Sequence, residues 1–339
     1  MDARPMIYDI IYALMAQEGR EAALFGDGAP LAHEAFERSL VGAAFPELWF
    51  ELPLAGDPWF DLHVLTARED VSPNMTFAPD SFGGCGDAFA WFAQQERGVR
   101  QLALSYDVSS GDIAHPAVQL LVGTDDPECH AGFLTAAGRP DAAEAYRRFA
   151  ARLPRGWFAC YAGVFPRRPE VDLRVECIPD ARLQQAYAAD SSLLKADLAQ
   201  LGMEEFGDTL LPRCQELAQQ PFELEFQFDV TRAGAAGSTF AASLRFGAPS
   251  EASSGSSFDP KGAAGELMKL LESWGLADER WRLLAGTMFA KRMARQGRQG
   301  LLYAYPAFIK LRWRNGKPVD AKTYLIAGVQ QIASRSSER

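Results

Sequence analysis

Basic side chains occupy every second position of a short segment near the end of the chain. Lys310, Arg312 and Arg314 alternate there with apolar residues over 309–314. Successive side chains of a β-strand point to opposite faces, so a strand in this segment would collect the three cations on one face. Guanidinium groups bind phosphate oxygens in a bidentate manner, and ammonium groups bind them as point charges. The segment therefore predicts a strand whose polar face binds an oxyanion.

Polar side chains alternate with apolar ones in several further segments. The basic residues of these further segments are Arg174, Arg245 and Lys322. With Lys310 and Arg312 of the first segment they make a set of five. If these faces meet in one chamber, the cations would suit a polyanion, and diphosphate is the natural candidate. Aromatic rings nearby would suit an apolar tail or a developing cation.

Carboxylates lie on some of the same polar faces. Glu51 alternates with Phe50 and Leu52, and Asp61 and His63 alternate with apolar residues one segment later. A carboxylate in a ligand chamber can accept a proton or orient a nucleophile. A carboxylate that is only capped or paired would be structural, and the segment around Glu51 leaves both roles open.

Five pairs of β-strands must carry these side chains. Runs of aromatic and aliphatic residues are interrupted by Gly, Pro, Asn and Asp, which is the pattern of β-hairpins. The predicted pairs cover 48–52 with 59–65, 102–108 with 117–123, 157–165 with 171–178, 222–230 with 239–246, and 308–313 with 319–327. The last pair turns at Asn315-Gly316, and Asn-Gly is the strongest short hairpin signal.

Helices are predicted between the strand pairs. They cover 6–23, 31–41, 87–97, a segment from Pro140 to before Pro154, 181–201, a segment ending near Gln219, 261–273 and 278–295. Asp180 is expected to cap the helix that follows it. The acidic run 125–128 and the Ser/Gly-rich stretch 250–257 are expected to be loops.

Five hairpins with helices between them predict an α+β fold. We expect a ten-stranded antiparallel β-barrel of five repeats, surrounded by a ring of helices and spanning 1–339 as a single domain. A barrel of this size is wider than the eight-stranded kind that its own side chains fill, so it can enclose a ligand chamber. Alternating polar residues can also form the solvated face of a half-exposed sheet, which is the alternative.

The composition argues against several classes of protein. A net charge of −10 opposes binding of nucleic acid. No apolar run is long enough to cross a bilayer, and no basic region precedes an apolar core at the N-terminus, so we expect no membrane partner and a cytoplasmic location. The dispersed cysteines and isolated histidines predict neither a disulfide framework nor a zinc site, and no metal ligand from the protein is expected.

Several segments of the sequence are similar to segments of a known protein family. They are 221–230 (PFELEFQFDV), 238–240 (STF), 243–246 (SLRF), 308–314 (FIKLRWR), 320–325 (DAKTYL), 183–188 (LQQAYA), 207–214 (GDTLLPRC) and, nearer the start, 50–56 (FELPLAG). In these segments the chain resembles the cyanobactin peptide prenyltransferases, most closely over about 172–328.

The resemblance implies a fold and a reaction. The fold is the αββα barrel of aromatic prenyltransferases. The donor is dimethylallyl diphosphate or a longer allylic homologue, with Mg²⁺ bound mainly through the diphosphate. The acceptor is a nucleophilic side chain, either Tyr, Trp or Arg, of a linear or macrocyclic ribosomal peptide. The acceptor residue, the position of prenylation and the donor length stay open.

The resemblance also implies roles for individual residues. Glu51 falls where the family has a glutamate beside the acceptor, with Asp61, His63 and Glu225 on the acceptor side. The diphosphate would be held by Arg68, Arg174, Arg245, Lys310, Arg312 and Lys322. The aromatic residues expected to shield an allylic cation in the prenyl pocket are Trp157, Tyr161, Phe240 and Tyr324.

Three other functions fit the same sequence pattern. A small-molecule aromatic prenyltransferase would use the same barrel with a phenol or indole as its acceptor. A non-catalytic lipid-binding barrel would take up the prenyl chain without releasing diphosphate. A structural or interaction protein would bind no diphosphate at all.

Overall fold

Antiparallel strands form one continuous sheet in the computed structural model, which describes residues 4–39, 47–68, 71, 81–95, 98–111, 113–166, 173–203, 205–247, 258–295 and 298–331. The strands are Glu47–Pro53 (β1), Asp61–Ala67 (β2), Val99–Tyr106 (β3), Ala117–Val122 (β4), Trp157–Val164 (β5), Leu173–Pro179 (β6), Glu223–Val230 (β7), Ala236–Arg245 (β8), Phe289–Arg295 (β9), Arg298–Arg314 (β10) and Lys317–Gln331 (β11).

Ten of these strands close into a ring. Strands β1 to β8 follow one another in order, β10 comes next, and β11 pairs with both β10 and β1. Strand β9 pairs only with β10 and lies outside the ring. The predicted ten-stranded antiparallel barrel is therefore confirmed.

Helices cover the outside of the ring. They are Arg4–Met15 (α1), Ala29–Arg38 (α2), Ser81–Gly84 (α3), Gly86–Gln94 (α4), Pro127–Ala136 (α5), Pro140–Ala150 (α6), Ala181–Ala189 (α7), Ser191–Gln200 (α8), Gly207–Ala218 (α9) and Ala263–Ser273 (α10). Short 3₁₀ segments cover Val108–Ser110 and Glu279–Thr287, and Glu21–Phe25 forms a π-helical turn. No helix among the described residues is long and apolar enough to cross a membrane.

The alternation of side chains divides the barrel into two layers. Ile309, Leu311 and Trp313 are fully buried in the large apolar core, which also contains helix residues such as Leu210 and Cys214. Burying one large apolar side chain stabilises the fold by about 1.5–3 kcal/mol. The core therefore lies between the sheet and the helices, and the intervening residues of each strand face the inside of the barrel.

The tight turn between β10 and β11 uses the predicted Asn-Gly pair. Both residues have positive φ, 49° at Asn315 and 69° at Gly316, as a two-residue hairpin turn of type I′ requires. A Cβ on Gly316 would also lie 2.6 Å from the backbone nitrogen of Gly207 at the start of α9. The turn therefore favours glycine at 316 because of its positive φ, and the contact with α9 leaves no room for a Cβ there.

The predicted helix over 278–295 is wrong in its second half. The chain forms a 3₁₀ segment up to Thr287, leaves it at Met288 in extended conformation, and continues as β9. Ala, Lys, Arg and Met in this segment favour a helix, but pairing with the first half of β10 supplies a hydrogen-bonded partner. Tertiary context therefore overrides local propensity here.

Several helix boundaries also differ from the predictions. The acidic run 125–128, predicted as a loop, starts helix α5, because the Asp126 side chain accepts a hydrogen bond from the backbone of Glu128. Asp180 caps α7 as predicted, but the predicted helix 181–201 divides at Asp190, which is extended and caps α8 in turn. The predicted helix 6–23 ends at Met15, ahead of positive φ at Glu18. The stretch 250–257 lies outside the described residues.

Candidate active site

The barrel encloses a cavity of about 390 Å³. Every strand of the ring contributes lining residues, while β9 contributes none of them. The register of the sheet sets neighbours on its wall: Glu225 pairs with Ser243, Ser243 with Lys310, and Lys310 with Lys322. Polar side chains from four consecutive ring strands, three of them charged, therefore lie side by side.

Glu51 is the centre of a buried hydrogen-bond network at this wall. One of its carboxylate oxygens lies 2.7 Å from the Lys322 ammonium. The other accepts a hydrogen bond of 2.7 Å from the Tyr324 hydroxyl and lies 3.0 Å from His63 Nε2. The second ring nitrogen of His63 lies 2.5 Å from the Ser105 hydroxyl. Burial opposes ionisation of Glu51, but Lys322, Lys310 and His63 hold its pKa well below the usual range.

Asp61 faces the same network but lies farther from the Lys322 ammonium than Glu51 does. Its carboxylate accepts hydrogen bonds from the backbone and hydroxyl of Ser109, and it lies 3.9 Å from Lys322. Burial and the neighbouring charge of Glu51 raise the pKa of Asp61 to about 7. The cavity therefore contains one carboxylate that stays ionised and a second that titrates near neutral pH.

Lys310 is a cation with no carboxylate partner in the part of the chain that the structure describes. Its ammonium donates a hydrogen bond of 2.9 Å to the Tyr324 hydroxyl, which in turn donates to Glu51. Among the described residues, no carboxylate oxygen lies within 4.0 Å of it. Burial, with repulsion from Arg174 and Lys322, lowers the pKa of Lys310 to about 8. An anion bound beside Lys310 would stabilise its charged form.

The arginines reach the cavity with carboxylate partners. Arg174 bonds to Asp229 at 2.7 Å, Arg312 bonds to Asp320, and Arg245 lies 3.6 Å from Glu225. Arginine has five donors in a planar fork, so one carboxylate does not use its full capacity. These side chains can therefore bind a further oxyanion while remaining paired.

Three aromatic rings border the Glu51 network. The Trp49 and Phe308 ring centroids are 5.3 Å apart, and those of Phe308 and Tyr324 are 6.1 Å apart. All three rings line the cavity. We call Trp49, Phe308 and Tyr324 the aromatic wall. Its π faces can stabilise a cation that water cannot reach.

A second pair of carboxyl groups lies on β6 and β7. Glu176 is the register partner of Gln227, two residues from Glu225 on the same face, and the Gln227 amide lies 3.5 Å from Glu176. Burial raises the pKa of both carboxyl groups, and that of Glu225 also rises because of Glu176. Both carboxyl groups are therefore easier to protonate than an exposed glutamate.

Most of the predicted site residues line this one cavity. They are Glu51, Asp61, His63, Tyr161, Arg174, Glu225, Arg245, Lys310, Arg312, Lys322 and Tyr324. Their position agrees with the strand alternation, and their roles stay a prediction.

Arg68 does not line the cavity, contrary to the prediction. It follows the last residue of β2 and donates hydrogen bonds to the backbone carbonyls of Gln95 and Val71. It therefore holds two loops together at the barrel end.

Trp157 and Phe240 also lie outside the cavity, between the sheet and the helices. Trp157 stacks on Phe226 and donates a hydrogen bond to the Tyr187 hydroxyl, and Phe240 packs on Trp313. For Trp157 the reason is a register shift in β5, where the extra residue after Ala159 reverses the alternation. Phe240 shares the outward face of its strand. Neither ring can shield a cation in the cavity.

Sequence reasoning missed two members of the aromatic wall. Trp49 lies two residues from Glu51, and Phe308 lies two residues from Lys310, so each shares the inward face of its strand. The same alternation that identified the charged residues could have identified both rings. Both rings were missed because apolar residues were assigned to the outer face of each strand.

A comparison with models of protein families finds no match, and a comparison with curated proteins finds no significant similarity. The resemblance noted from sequence segments therefore stays a prediction.

Proposed function

We propose that the protein transfers an allylic prenyl group from its diphosphate to a nucleophilic side chain of a peptide. The observation that carries the proposal is the placement of Lys310 and Lys322 beside the aromatic wall and Glu51, inside a closed barrel. Cations, aromatic faces and a carboxylate are the groups that this reaction requires. The peptide acceptor is supported by the sequence resemblance over about 172–328.

The basic residues act on the leaving group. As the allylic C–O bond breaks, negative charge grows on the diphosphate. Lys310 is positioned to bind it because its ammonium is next to Lys322 in the register and has no carboxylate within 4.0 Å among the described residues. Arg174 and Arg312 border the same space and add donors. A donor of this kind lowers the barrier by about 3 kcal/mol when it is aligned with charge in the transition state.

The aromatic wall acts on the organic half of the donor. The carbon that loses diphosphate becomes positive, and Trp49, Phe308 and Tyr324 line the cavity beside Lys310, whose ammonium lies 5.4 Å from the centroid of the Tyr324 ring. Ring faces attract a desolvated cation by about 2 kcal/mol or more. They also occupy the space from which water would attack it.

The carboxylates act on the acceptor. Glu51 is held ionised by Lys322, Tyr324 and His63, so it orients the acceptor and balances positive charge. Asp61, whose pKa is about 7, is better matched to take up the proton that the acceptor loses.

Mg²⁺ fits this cavity as a companion of the diphosphate. Among the described residues, no group of three or more His, Cys, Asp or Glu side chains is arranged to hold a metal ion. Mg²⁺ commonly binds substrate phosphates with one or two carboxylates, and Asp320 lines the cavity and can supply one. When bound, Mg²⁺ neutralises charge on the diphosphate. We place the reaction in the cytoplasm, where the free thiols of the cysteines persist.

The test is incubation of the protein with dimethylallyl diphosphate, Mg²⁺ and peptides containing Tyr, Trp or Arg. We expect a peptide that gains one prenyl mass and an equal amount of released diphosphate. A small-molecule enzyme would instead prenylate indole or phenol added in competition. Uptake of the donor without diphosphate release, unchanged in Glu51→Gln, would identify a lipid-binding barrel and overturn the proposal.

A further inference from the structure

The Glu176–Glu225 pair places two carboxyl groups on the cavity wall from adjacent strands. Glu225 is 4% exposed and lines the cavity with Glu176. The nearest guanidinium, that of Arg245, lies 3.6 Å from Glu225 but also 3.9 Å from Glu223 at the barrel end. One guanidinium is therefore divided between Glu225 and Glu223. Buried carboxyl groups close together are costly unless a cation compensates them.

The geometry of the pair suits a planar cation. The two carboxyl groups project into the cavity from adjacent strands, β6 and β7, and Gln227 adds an amide beside Glu176. A guanidinium presents two edges with N–H donors and can bind two carboxylates at once. An ammonium is a compact charge that matches this arrangement less well.

The Glu176–Glu225 pair lies close to Lys310, which is proposed to bind the diphosphate of the prenyl donor. Lys310 is the strongest of the neighbouring charges acting on Glu176, and it shares its row of the sheet with Glu225 through Ser243. A cation bound by the pair would therefore be adjacent to a diphosphate bound by Lys310.

We propose that the Glu176–Glu225 pair binds the guanidinium of an arginine in the peptide substrate, and that this arginine accepts the prenyl group. The inference rests on the proposed function and specifies its acceptor. A guanidinium beside the two carboxyl groups favours their ionised forms, and a proton held by either group passes to solvent when the cation binds.

The transfer step is balanced without a further reactant. The allylic C–O bond breaks and its electron pair stays on the diphosphate. A guanidinium nitrogen forms the new C–N bond, and its displaced proton goes to the ionised Asp61 carboxylate. The product is an N-prenyl guanidinium, which keeps its positive charge.

The test compares one peptide sequence with arginine, citrulline, tyrosine or tryptophan at the same position. Citrulline keeps the shape of arginine and removes its charge. We expect the prenyl mass on the arginine peptide and none on the citrulline peptide. Prenylation of the tyrosine or tryptophan peptide alone would overturn this inference and leave the proposed function standing. Absence of transfer and of diphosphate release with every acceptor would overturn both.

Variants locate the binding site. Glu176→Gln and Glu225→Gln should each raise KM for the arginine peptide about 10- to 100-fold, because each removes a charged hydrogen-bond acceptor. Circular dichroism and thermal unfolding of each variant should match the wild type and show that the barrel is intact. Glu279→Gln, on the exposed surface, is the matched control. An unchanged KM in both variants would exclude the pair as the guanidinium site, and the citrulline comparison decides the acceptor even if a variant does not fold.

Discussion

Glu51 and Asp61 are direct partners across the β1–β2 hairpin, yet they are charged over different ranges of pH. Lys322 bonds to Glu51 at 2.7 Å and reaches Asp61 only at 3.9 Å. The pKa of Glu51 therefore lies well below the usual range, while that of Asp61 is about 7. Two carboxylates on one wall can thus have separate tasks, one electrostatic and one in proton transfer.

The first prediction concerns the rising limb of the pH profile. If Asp61 takes up the acceptor's proton, it must be ionised, so kcat/KM should rise as pH increases through about 7. Asp61→Asn should lower the rate and remove this limb. The measurement is initial-rate kinetics of prenyl transfer between pH 5.5 and pH 9 (a range of about 1.5 units below and about 2 above the pKa). A limb that persists in Asp61→Asn would assign the proton to another group.

The second prediction concerns Lys310 and the falling limb. The Lys310 ammonium loses its charge as pH rises through about 8, so kcat/KM for the donor should fall there. Lys310→Ala should lower it about 100-fold, since one donor to the leaving group contributes about 3 kcal/mol. Lys310→Arg should keep part of the activity and move the falling limb upward, because arginine stays protonated.

Lys269→Ala is the control for this experiment. Lys269 lies on the exposed side of α10 and bonds to Glu266, so its removal should leave the donor kinetics unchanged. A wild-type pH profile in Lys310→Arg would show that another group causes the falling limb.

The third prediction concerns the aromatic wall. Trp49→Leu and Phe308→Leu should raise the fraction of donor that ends as prenyl alcohol, because water gains access to the cation. The measurement is the ratio of prenyl alcohol to prenylated peptide at equal donor consumption. Phe240→Leu is the matched control, since Phe240 packs outside the cavity against Trp313. It should lower the unfolding temperature without changing that ratio.

The fourth prediction concerns the turn at Gly316. Gly316→Ala should lower the free energy of unfolding by about 1–3 kcal/mol, because it combines positive φ with a close contact to Gly207. Gly111→Ala changes a glycine with similar φ, 74°, where nothing lies within 4 Å of the added Cβ. It should cost less. Thermal unfolding of both variants separates backbone strain from the contact with α9.

The barrel and its inward faces could be predicted because each strand repeats one local pattern. Alternation along 309–314 places Lys310 and Arg312 inside, and the Asn-Gly turn fixes the last hairpin. Such features depend on neighbouring residues in the sequence, so a single chain is enough to find them.

Other features depend on contacts that local pattern does not encode. The extra residue in β5 places Trp157 on the opposite face from the one that simple alternation predicts. The residues of β9 favour a helix, so the strand was not predicted. Arg68 has the right charge for the site, but it lies at the barrel end and bonds to backbone carbonyls. The pairing of Arg174 with Asp229, 55 positions apart, also depends on the register between β6 and β7.

The ring is closed by its first and last strands, so the Glu51 network joins residues more than two hundred and fifty positions apart; the Tyr324–Glu51 bond alone spans 273. A nascent chain on the ribosome therefore has Glu51, Asp61 and His63 long before Lys322 and Tyr324 are synthesised. Until β11 is made, Glu51 lacks its contacts with Lys322 and Tyr324, and β1 lacks the partner that closes the ring. On the proposed function, the site can ionise an allylic donor only after β11 has joined the ring.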